Sequence, residues 1–334
     1  MTTGTRLLAA AATALLGLGT LVACGGGGEQ APQTTASTDA FPVTLKHKLG
    51  STTITAPPKR IVALSTADQD ALLALGVQPI AMVRMDGHPD GITPWAKAKL
   101  GGATPTLLVP GDNGFDPEQV LKLEPDLILA NFDAGLDKYW SKLNAIVPTT
   151  GYETGSYQDS WQQVTRQVGQ AIGRKALADQ VIGEAEARIA GVRKTNPELT
   201  GKRFGYFVAG QAGTVHLLKS TEDTATKLLG EFGLVLPDNI RNQPGGTFAV
   251  ELSAEKFDLL DQDVLLSYYG NEQQRDAVEQ NPLFQKLAVV RKGGKLILAL
   301  PEFHSIRAPS PLSIPYAIDK LVPMLSAAVK KTAA

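Results

Sequence analysis

Short apolar runs that suit β-strands alternate with helical stretches along most of this chain. The segment RIVALSTADQDALLALGVQPIAMV predicts a strand over Arg60–Leu64 and a helix over Asp68–Leu75, which Gly76 ends. A second strand follows over Pro79–Val83, and a similar unit, PEQVLKLEPDLILAN, ends in a strand over Leu127–Ala130. Because strands joined by helices pair in parallel, the pattern predicts an α/β fold with mainly parallel sheets.

The segment from Asp159 to Thr195 interrupts this alternation, because it contains almost no strand formers. It predicts two helices that are broken near Gly173, and strands resume in PELTGKRFGYFVAG. A folded part of about 290 residues exceeds what one core usually holds. We therefore expect two Rossmann-like lobes, residues 41–172 and 197–334, bridged by one long helix over residues 173–196.

The first 24 residues read as a lipoprotein signal peptide. Arg6 precedes an uncharged apolar run, which ends at Leu21-Val22-Ala23-Cys24, and Cys24 is the only cysteine of the chain. The last four residues resemble a bacterial lipobox, so we expect lipid on Cys24 and a location on the extracytoplasmic face of the cell membrane. Residues 25–40 are rich in glycine, threonine and serine and predict a flexible tether.

Charge and composition narrow the function classes. The formal net charge is −1, and lysines and arginines are scattered without a basic stripe, which argues against a nucleic-acid partner. With its single thiol lipidated, the mature chain has no cysteine left for a disulfide, so the core alone holds the fold.

An internal repeat relates the two halves of the chain. The segment from Pro117 to Leu129 aligns with the segment from Ala254 to Leu266, and in each a glutamate at a helix start lies eight residues before an aspartate that introduces a strand. Interaction with a helix N-terminus, worth about 0.3–1 kcal/mol, explains one such glutamate. It explains the matched pair, Glu118 and Glu255, less well.

From about Ile54 to Leu325 the sequence resembles the siderophore-type substrate-binding proteins of ABC importers, especially the actinobacterial iron-siderophore lipoproteins. The resemblance rests on the order of these segments: PPKRIVAL, DQDALLALGVQPIA, PWAKAKLGG, LKLEPDLILAN, YWSKLNAIVPT, NPLFQKLAVVRKGGKLI and SPLSIPYAIDKLVPML. It implies a monomeric two-lobed receptor that delivers a ferric siderophore to a membrane permease. It also implies that Glu118 and Glu255 dock with arginines of that permease.

A siderophore wraps iron in its own oxygens, so the receptor needs no metal ligand and no cofactor of its own; the ligand carries the Fe³⁺. Aromatic faces and a few cations suit such a complex, and in α/β sheets ligands lie outside the carboxyl ends of the strands. The loops at those ends predict these ligand-binding residues: Arg84, His88, Trp95, Asn131, Tyr206, Tyr268, Tyr269, His304 and Arg307. We expect one of the two adjacent tyrosines to face the cleft, and we expect His304 and Arg307 to lie in a long loop.

Two alternatives keep the same fold. A receptor for a free metal ion would need clustered histidines, whereas the four histidines of this chain are spread singly. A haem or corrinoid receptor stays open, because those ligands also favour aromatics and need at most one axial histidine, for which His88 or His304 would serve.

A third alternative is an exported serine hydrolase. Ser253-Ala254-Glu255-Lys256 matches S-x-x-K, but the accompanying SDN and KTG motifs are absent from the sequence. Ser253 is also the natural N-cap of the helix that carries Glu255. We therefore expect a binding protein without catalysis.

Overall fold

The computed structural model describes residues 40–133, 135–155 and 158–333. The signal peptide, Cys24 and all of the tether except Ala40 lie outside the described residues. None of the described helices combines the length and apolar character that a membrane crossing requires.

The described strands fall into one hairpin and two larger sheets. They are β1 Val43–His47, β2 Gly50–Ile54, β3 Ile61–Ala63, β4 Ala81–Val83, β5 Thr106–Leu108, β6 Leu127–Leu129, β7 Phe204–Ala209, β8 Val215–Leu218, β9 Ala249–Leu252, β10 Val264–Tyr268 and β11 Lys295–Ile297. Between them run α1 Thr66–Ala74, α2 Pro94–Leu100, α3 Pro117–Leu121, α4 Trp140–Asn144, α5 Trp161–Ala171, α6 Lys175–Thr195, α7 Thr224–Glu231, α8 Asp238–Arg241, α9 Glu272–Glu279, α10 Pro282–Gln285, α11 Ala288–Arg291, α12 Leu300–Arg307 and α13 Ser313–Ala333. Short 3₁₀ helices span Pro89–Gly91, Leu136–Lys138, Pro197–Leu199 and Ala254–Leu260.

The first sheet has the strand order β5-β4-β3-β6 and is parallel throughout. Strands β3 and β6 are short and fully buried, as expected for a parallel sheet covered by helices. The hairpin of β1 and β2 packs beside α5. The three longest connections of this sheet follow the carboxyl ends of β4, β5 and β6. The candidate residues of the first half lie in or directly after these connections.

The second sheet has the order β11-β10-β7-β8-β9. Strands β7, β10 and β11 run parallel, whereas β8 is antiparallel to both of its neighbours. The prediction of an α/β fold with two mainly parallel sheets is confirmed, and the antiparallel pairings of β8 are a feature that the sequence did not indicate. The reversal brings the end of β9, and with it the segment that carries Glu255, to the same edge as the end of β7.

Helix α6 contributes side chains to two hydrophobic cores, the first beside the first sheet and the second around the second sheet. Ala178 near its start is buried among the apolar side chains of the first core, whereas Ile189 and Val192 near its end belong to the second. Its 21 residues give a rod of about 32 Å at 1.5 Å per residue. The break before it lies at Gly173, which has a φ of 69°. Gly169 lets α5 and α6 approach closely, because a Cβ there would lie 2.4 Å from the Cβ of Ala178.

Candidate functional site

The part of the candidate site that lies in the first half is the loop that follows β4. Arg84 is exposed and its Nε donates to Asp86 at 3.1 Å. His88 is buried, with 5% of its surface exposed, and burial lowers the pKa of its imidazole. The loop therefore offers one cation that already has a carboxylate partner and one neutral imidazole.

The second half presents α12 against this loop. Nε2 of His88 and Nδ1 of His304 share a hydrogen bond of 2.8 Å, with one of the two nitrogens carrying the proton. The backbone of Gly87 also lies close to Leu300 of α12, because a Cβ on Gly87 would come within 2.7 Å of a methyl group of Leu300. Burial and, to a smaller extent, His88 lower the pKa of His304 to about 4. Two neutral histidines thus join the loop after β4 to the helix after β11.

An aromatic surface adjoins this contact. The rings of Tyr268 and Phe303 stack with centroids 3.8 Å apart and planes 13° apart, and the ring of Phe303 lies 5.4 Å from that of His304. Tyr269 points the other way, and its hydroxyl donates to Glu279 at 2.6 Å. The structure therefore separates the two adjacent tyrosines as strand geometry requires, with Tyr268 on the side of Phe303.

The segment expected to be a long loop after β11 is the helix α12. Phe303 and Arg307 are one turn apart on this helix, so they share a side of it. Nη1 of Arg307 donates to Asp223 at 2.5 Å, and the carboxylate of Asp223 also accepts from the backbone at the start of α7. Arg307 is thereby fixed in place, with about a third of its side chain exposed.

Three of the candidate residues lie in the interior. Asn131 is fully buried and donates through Nδ2 to Asp68 at 2.6 Å, and the indole of Trp95 donates to Asp70 at 2.7 Å. Tyr206 is fully buried, its hydroxyl lacks a hydrogen-bond partner among the described residues, and burial raises its pKa. The structure does not bring these three side chains to the cleft surface.

A buried polar network that the sequence did not reveal joins α1 to α2 and to the segment before α13. Asp70 on α1 accepts hydrogen bonds at one carboxylate oxygen from Trp95 and, at 2.6 Å, from Ser310, the residue three positions before α13. Burial raises the pKa of Asp70 to about 7 despite both hydrogen bonds, and it raises that of Asp68 to about 6. The only hint in the sequence was the pair of aspartates, Asp68 and Asp70, in the first two turns of a helix that ends in apolar residues.

The matched glutamates occupy equivalent places in the two halves. Asp126 accepts from the backbone of Lys59 and Arg60 at 2.8 Å, and Asp263 accepts from that of Arg203 at 2.8 Å. The strand registers correspond, because Ile61 pairs with Leu127 in the first sheet as Phe204 pairs with Val264 in the second. Glu118 and Glu255 lie eight residues before these aspartates, and both are exposed.

The segment around Glu255 differs in detail from the expectation. The helix is of the 3₁₀ type, and the side chain of Ser253 makes no capping bond. Its hydroxyl instead donates to the carboxylate of Glu255, which lowers the pKa of that carboxyl. Ser253 therefore orients the carboxylate of Glu255.

The described residues contain no group of three or more histidine, cysteine or acidic side chains arranged to hold a metal ion. The candidate site instead offers aromatic faces, two arginines and the histidine pair. Such a set recognises the surface of a larger complex by stacking and hydrogen bonding.

Solved structures share this fold. A periplasmic solute binding protein from Mycobacterium smegmatis superposes with a TM-score of 0.76 and 30% identity, over 86% of this chain and 99% of that one. PiaA, the iron uptake ABC transporter substrate-binding protein of Streptococcus pneumoniae, gives a TM-score of 0.70 and 26% identity, over 86% of this chain and 100% of that one.

Sequence comparison agrees with the structural match. The probable siderophore-binding lipoprotein YfiY of Bacillus subtilis is 26% identical over 265 residues, which are 75% of this chain and 78% of that protein. The family model described as periplasmic binding protein matches residues 61–297, more than half of the chain. The chain therefore belongs to the periplasmic binding protein family.

Proposed function

We propose that this protein is an extracytoplasmic receptor that captures a ferric siderophore and delivers it to an ABC importer for iron uptake. The observation that carries the proposal is the hydrogen bond between His88, in the loop after β4, and His304 on α12, because it sets that loop beside the stacked rings of Tyr268 and Phe303. Membership of the family and the similarity to YfiY and PiaA support it.

The recognition chemistry follows from the exposed groups of the cleft. The stacked rings of Tyr268 and Phe303 give a flat apolar surface, and Arg84 and Arg307 supply donors for oxygens on the outside of an iron complex. The siderophore fills the coordination sphere of the iron, so the protein contributes shape and hydrogen bonds. It binds its ligand and releases it unchanged, and it needs no cofactor.

Delivery requires contact with a permease. Glu118 and Glu255 are exposed at equivalent places in two related sheets, so together they give a two-point acidic attachment surface. Arginines on the permease would pair with both carboxylates. Lipid on Cys24 and a flexible tether up to residue 40 would keep a monomeric receptor at the outer face of the membrane, close to that permease.

The division into lobes belongs to the same proposal. Residues 41–172 would form the first lobe and residues 197–334 the second, with the helix of residues 173–196 between them. A helical bridge has few residues free to change φ and ψ, so the lobes would close over a ligand by a small rotation.

Fluorescence titration tests the binding function. The ring of Trp95 lies 6.5 Å from that of His88, so a ligand in the cleft is expected to change its emission. The titrants are ferric hydroxamate, catecholate, citrate and mycobactin-type complexes, together with haemin. Failure of every ferric complex to bind would refute the proposal, and a Soret shift with haemin alone would establish a haem receptor instead.

A variant pair locates the site. Tyr268→Ala removes one ring of the stacked pair and is expected to weaken binding roughly tenfold, since an aromatic contact contributes about 0.5–1.5 kcal/mol beyond its buried area. Tyr269→Phe is the matched control, because this neighbour directs its hydroxyl to Glu279. Equal losses of affinity in both variants would show that Tyr268 acts through the fold.

A further inference from the structure

The two carboxylate oxygens of Asp223 have separate partners. Oδ1 accepts from the backbone N–H groups of Ala225 and Thr226 at 3.0 Å and 3.3 Å, and it thereby caps α7. Oδ2 accepts from Nη1 of Arg307 at 2.5 Å. The side chain of Asp223 is only 6% exposed, so the start of α7 and the guanidinium of Arg307 hold it with little competition from water.

The main chain of Arg307 is tied to the same helix end. Thr224, the first residue of α7, donates its hydroxyl to the backbone carbonyl of Arg307 at 2.9 Å, although the two residues lie 83 positions apart. Both the backbone and the side chain of Arg307 are therefore anchored to the start of α7. A guanidinium anchored in this way has few rotamers left to adopt.

Arg307 still has donors for a ligand. A guanidinium carries several N–H groups in a planar fork. In the part of the chain that the structure describes, Asp223 is the only group that accepts from the Arg307 side chain, and it takes Nη1 alone. About a third of this side chain is exposed. The ion pair thus fixes one corner of the guanidinium and leaves its other N–H groups free to donate.

These donors lie beside the aromatic surface of the candidate site. Phe303 is one turn before Arg307 on α12, and its ring stacks on that of Tyr268. The buried hydroxyl of Tyr206 is near both groups. Burial raises the pKa of this hydroxyl, the charge of Arg307 lowers it, and Asp223 and Tyr268 raise it further. A ligand that covers the ring of Phe303 therefore comes within reach of Arg307.

We propose that Asp223 is a positioning residue for ligand binding, which holds the guanidinium of Arg307 in the orientation that meets a ligand beside Phe303. The inference rests on the proposed function and assigns a further residue to the same site. The physical reason is preorganisation: a mobile arginine loses rotamer freedom when it binds a ligand. The ion pair with a buried, helix-bound carboxylate removes that freedom beforehand.

One substitution separates the two contacts of Asp223. Asparagine caps helices as well as aspartate does, and its single side-chain oxygen can keep the bonds to α7. Its amide NH₂ then replaces Oδ2 and turns donors toward the guanidinium, so the ion pair is lost. Asp223→Asn is therefore expected to keep the cap and to weaken ligand binding roughly three- to tenfold, through the renewed cost of ordering Arg307.

A double-mutant cycle tests whether Asp223 acts through Arg307. The probe is whichever of ferrichrome, ferric enterobactin and ferric citrate binds the whole protein most tightly in fluorescence titration. The cycle compares wild type, Asp223→Asn, Arg307→Gln and the double variant. Once residue 307 is glutamine, Asp223→Asn should change the affinity by less than about twofold. The same loss of affinity in both backgrounds would show a merely structural role and overturn the inference.

Asp116→Asn is the matched control, because Asp116 also caps a helix, α3, and has no ion pair among the described residues. It should leave the affinity within about twofold of wild type. Should Asp223→Asn not fold, Asp223→Ser takes its place, since serine also caps a helix and carries no charge.

Two further outcomes are decisive. Binding by Asp223→Asn that equals or exceeds that of wild type would show that the carboxylate only neutralises Arg307, and it would overturn the inference while the proposed function stands. Binding of none of the three ferric complexes to the wild-type protein would overturn both.

Discussion

Replacing Asp70 by asparagine is expected to stabilise the protein at alkaline pH and to change little at acidic pH. Asp70 is almost fully buried, and one of its carboxylate oxygens has no hydrogen-bond partner among the described residues. Burial raises its pKa to about 7, although Ser310 and Trp95 donate to the other oxygen. The folded protein therefore holds a proton here that the unfolded chain releases near pH 4.

The magnitude follows from the two pKa values. Between about pH 4 and pH 7 the folded state binds more protons than the unfolded state, so the free energy of unfolding falls as pH rises through this window. A difference of about three pKa units corresponds to about 4 kcal/mol at 1.36 kcal/mol per unit. Asparagine keeps an acceptor for both donors and has no proton to lose, so the variant is expected to gain up to about 4 kcal/mol relative to wild type at pH 8.

The assay is urea unfolding followed by tryptophan fluorescence at pH 5, 6, 7 and 8 for both proteins. The difference between them isolates Asp70, because contributions from His88, His304 and other titrating groups cancel. Ser310→Ala serves as a companion variant: it removes one donor to Asp70 and is expected to steepen the loss of stability toward alkaline pH. A stability difference between Asp70→Asn and wild type that does not vary with pH would refute the reasoning.

Three further predictions concern packing, docking and the histidine pair. Gly169→Ala is expected to destabilise the fold by about 1–3 kcal/mol through overpacking against α6, whereas Gly183→Ala, whose Cβ would meet open space in α6, should stabilise it by about 0.5–1 kcal/mol in the same unfolding assay. Glu118→Ala and Glu255→Ala should leave ligand affinity unchanged in titration while iron uptake falls; a loss of affinity would place these glutamates in the fold or the cleft. Lowering the pH from 6.5 to 4 should destabilise His304→Gln less than wild type, because in this range His304 takes up a proton in the unfolded wild-type chain but not in the folded protein. Equal losses of stability in the two proteins would contradict the lowered pKa of His304.

Much of the fold was predictable because it depends on local patterns. The alternation of strands and helices predicted the α/β class, and the helix break expected near Gly173 lies between α5 and α6. The resemblance to siderophore-type substrate-binding proteins is confirmed by the family match and by the solved structures. These features follow from periodicity, helix termini and the order of segments, which a single sequence shows directly.

The arrangement of the cleft was less accessible, because it depends on contacts between distant parts of the chain. Trp95 and Asn131 follow strands as binding residues do, but buried aspartates on α1 hold both of them inside. Arg307 meets Asp223, which lies 84 residues earlier in the chain. The bond between His88 and His304 spans 216 residues, and nothing in either local segment indicates it.

An arginine directly precedes the first strand of each sheet along the chain: Arg60 precedes β3 and Arg203 precedes β7. Arg60 donates to the carbonyl groups of Leu123 and Glu124, and its own backbone is held by Asp126, so the segment after Glu118 is fastened to β3. Arg203 and Asp263 fasten the corresponding segment of the second sheet. Each glutamate is therefore a fixed marker of its own sheet. The distance between spin labels at positions 118 and 255 would therefore measure how the two sheets are oriented. A change in that distance on adding ligand would report rotation of one sheet against the other.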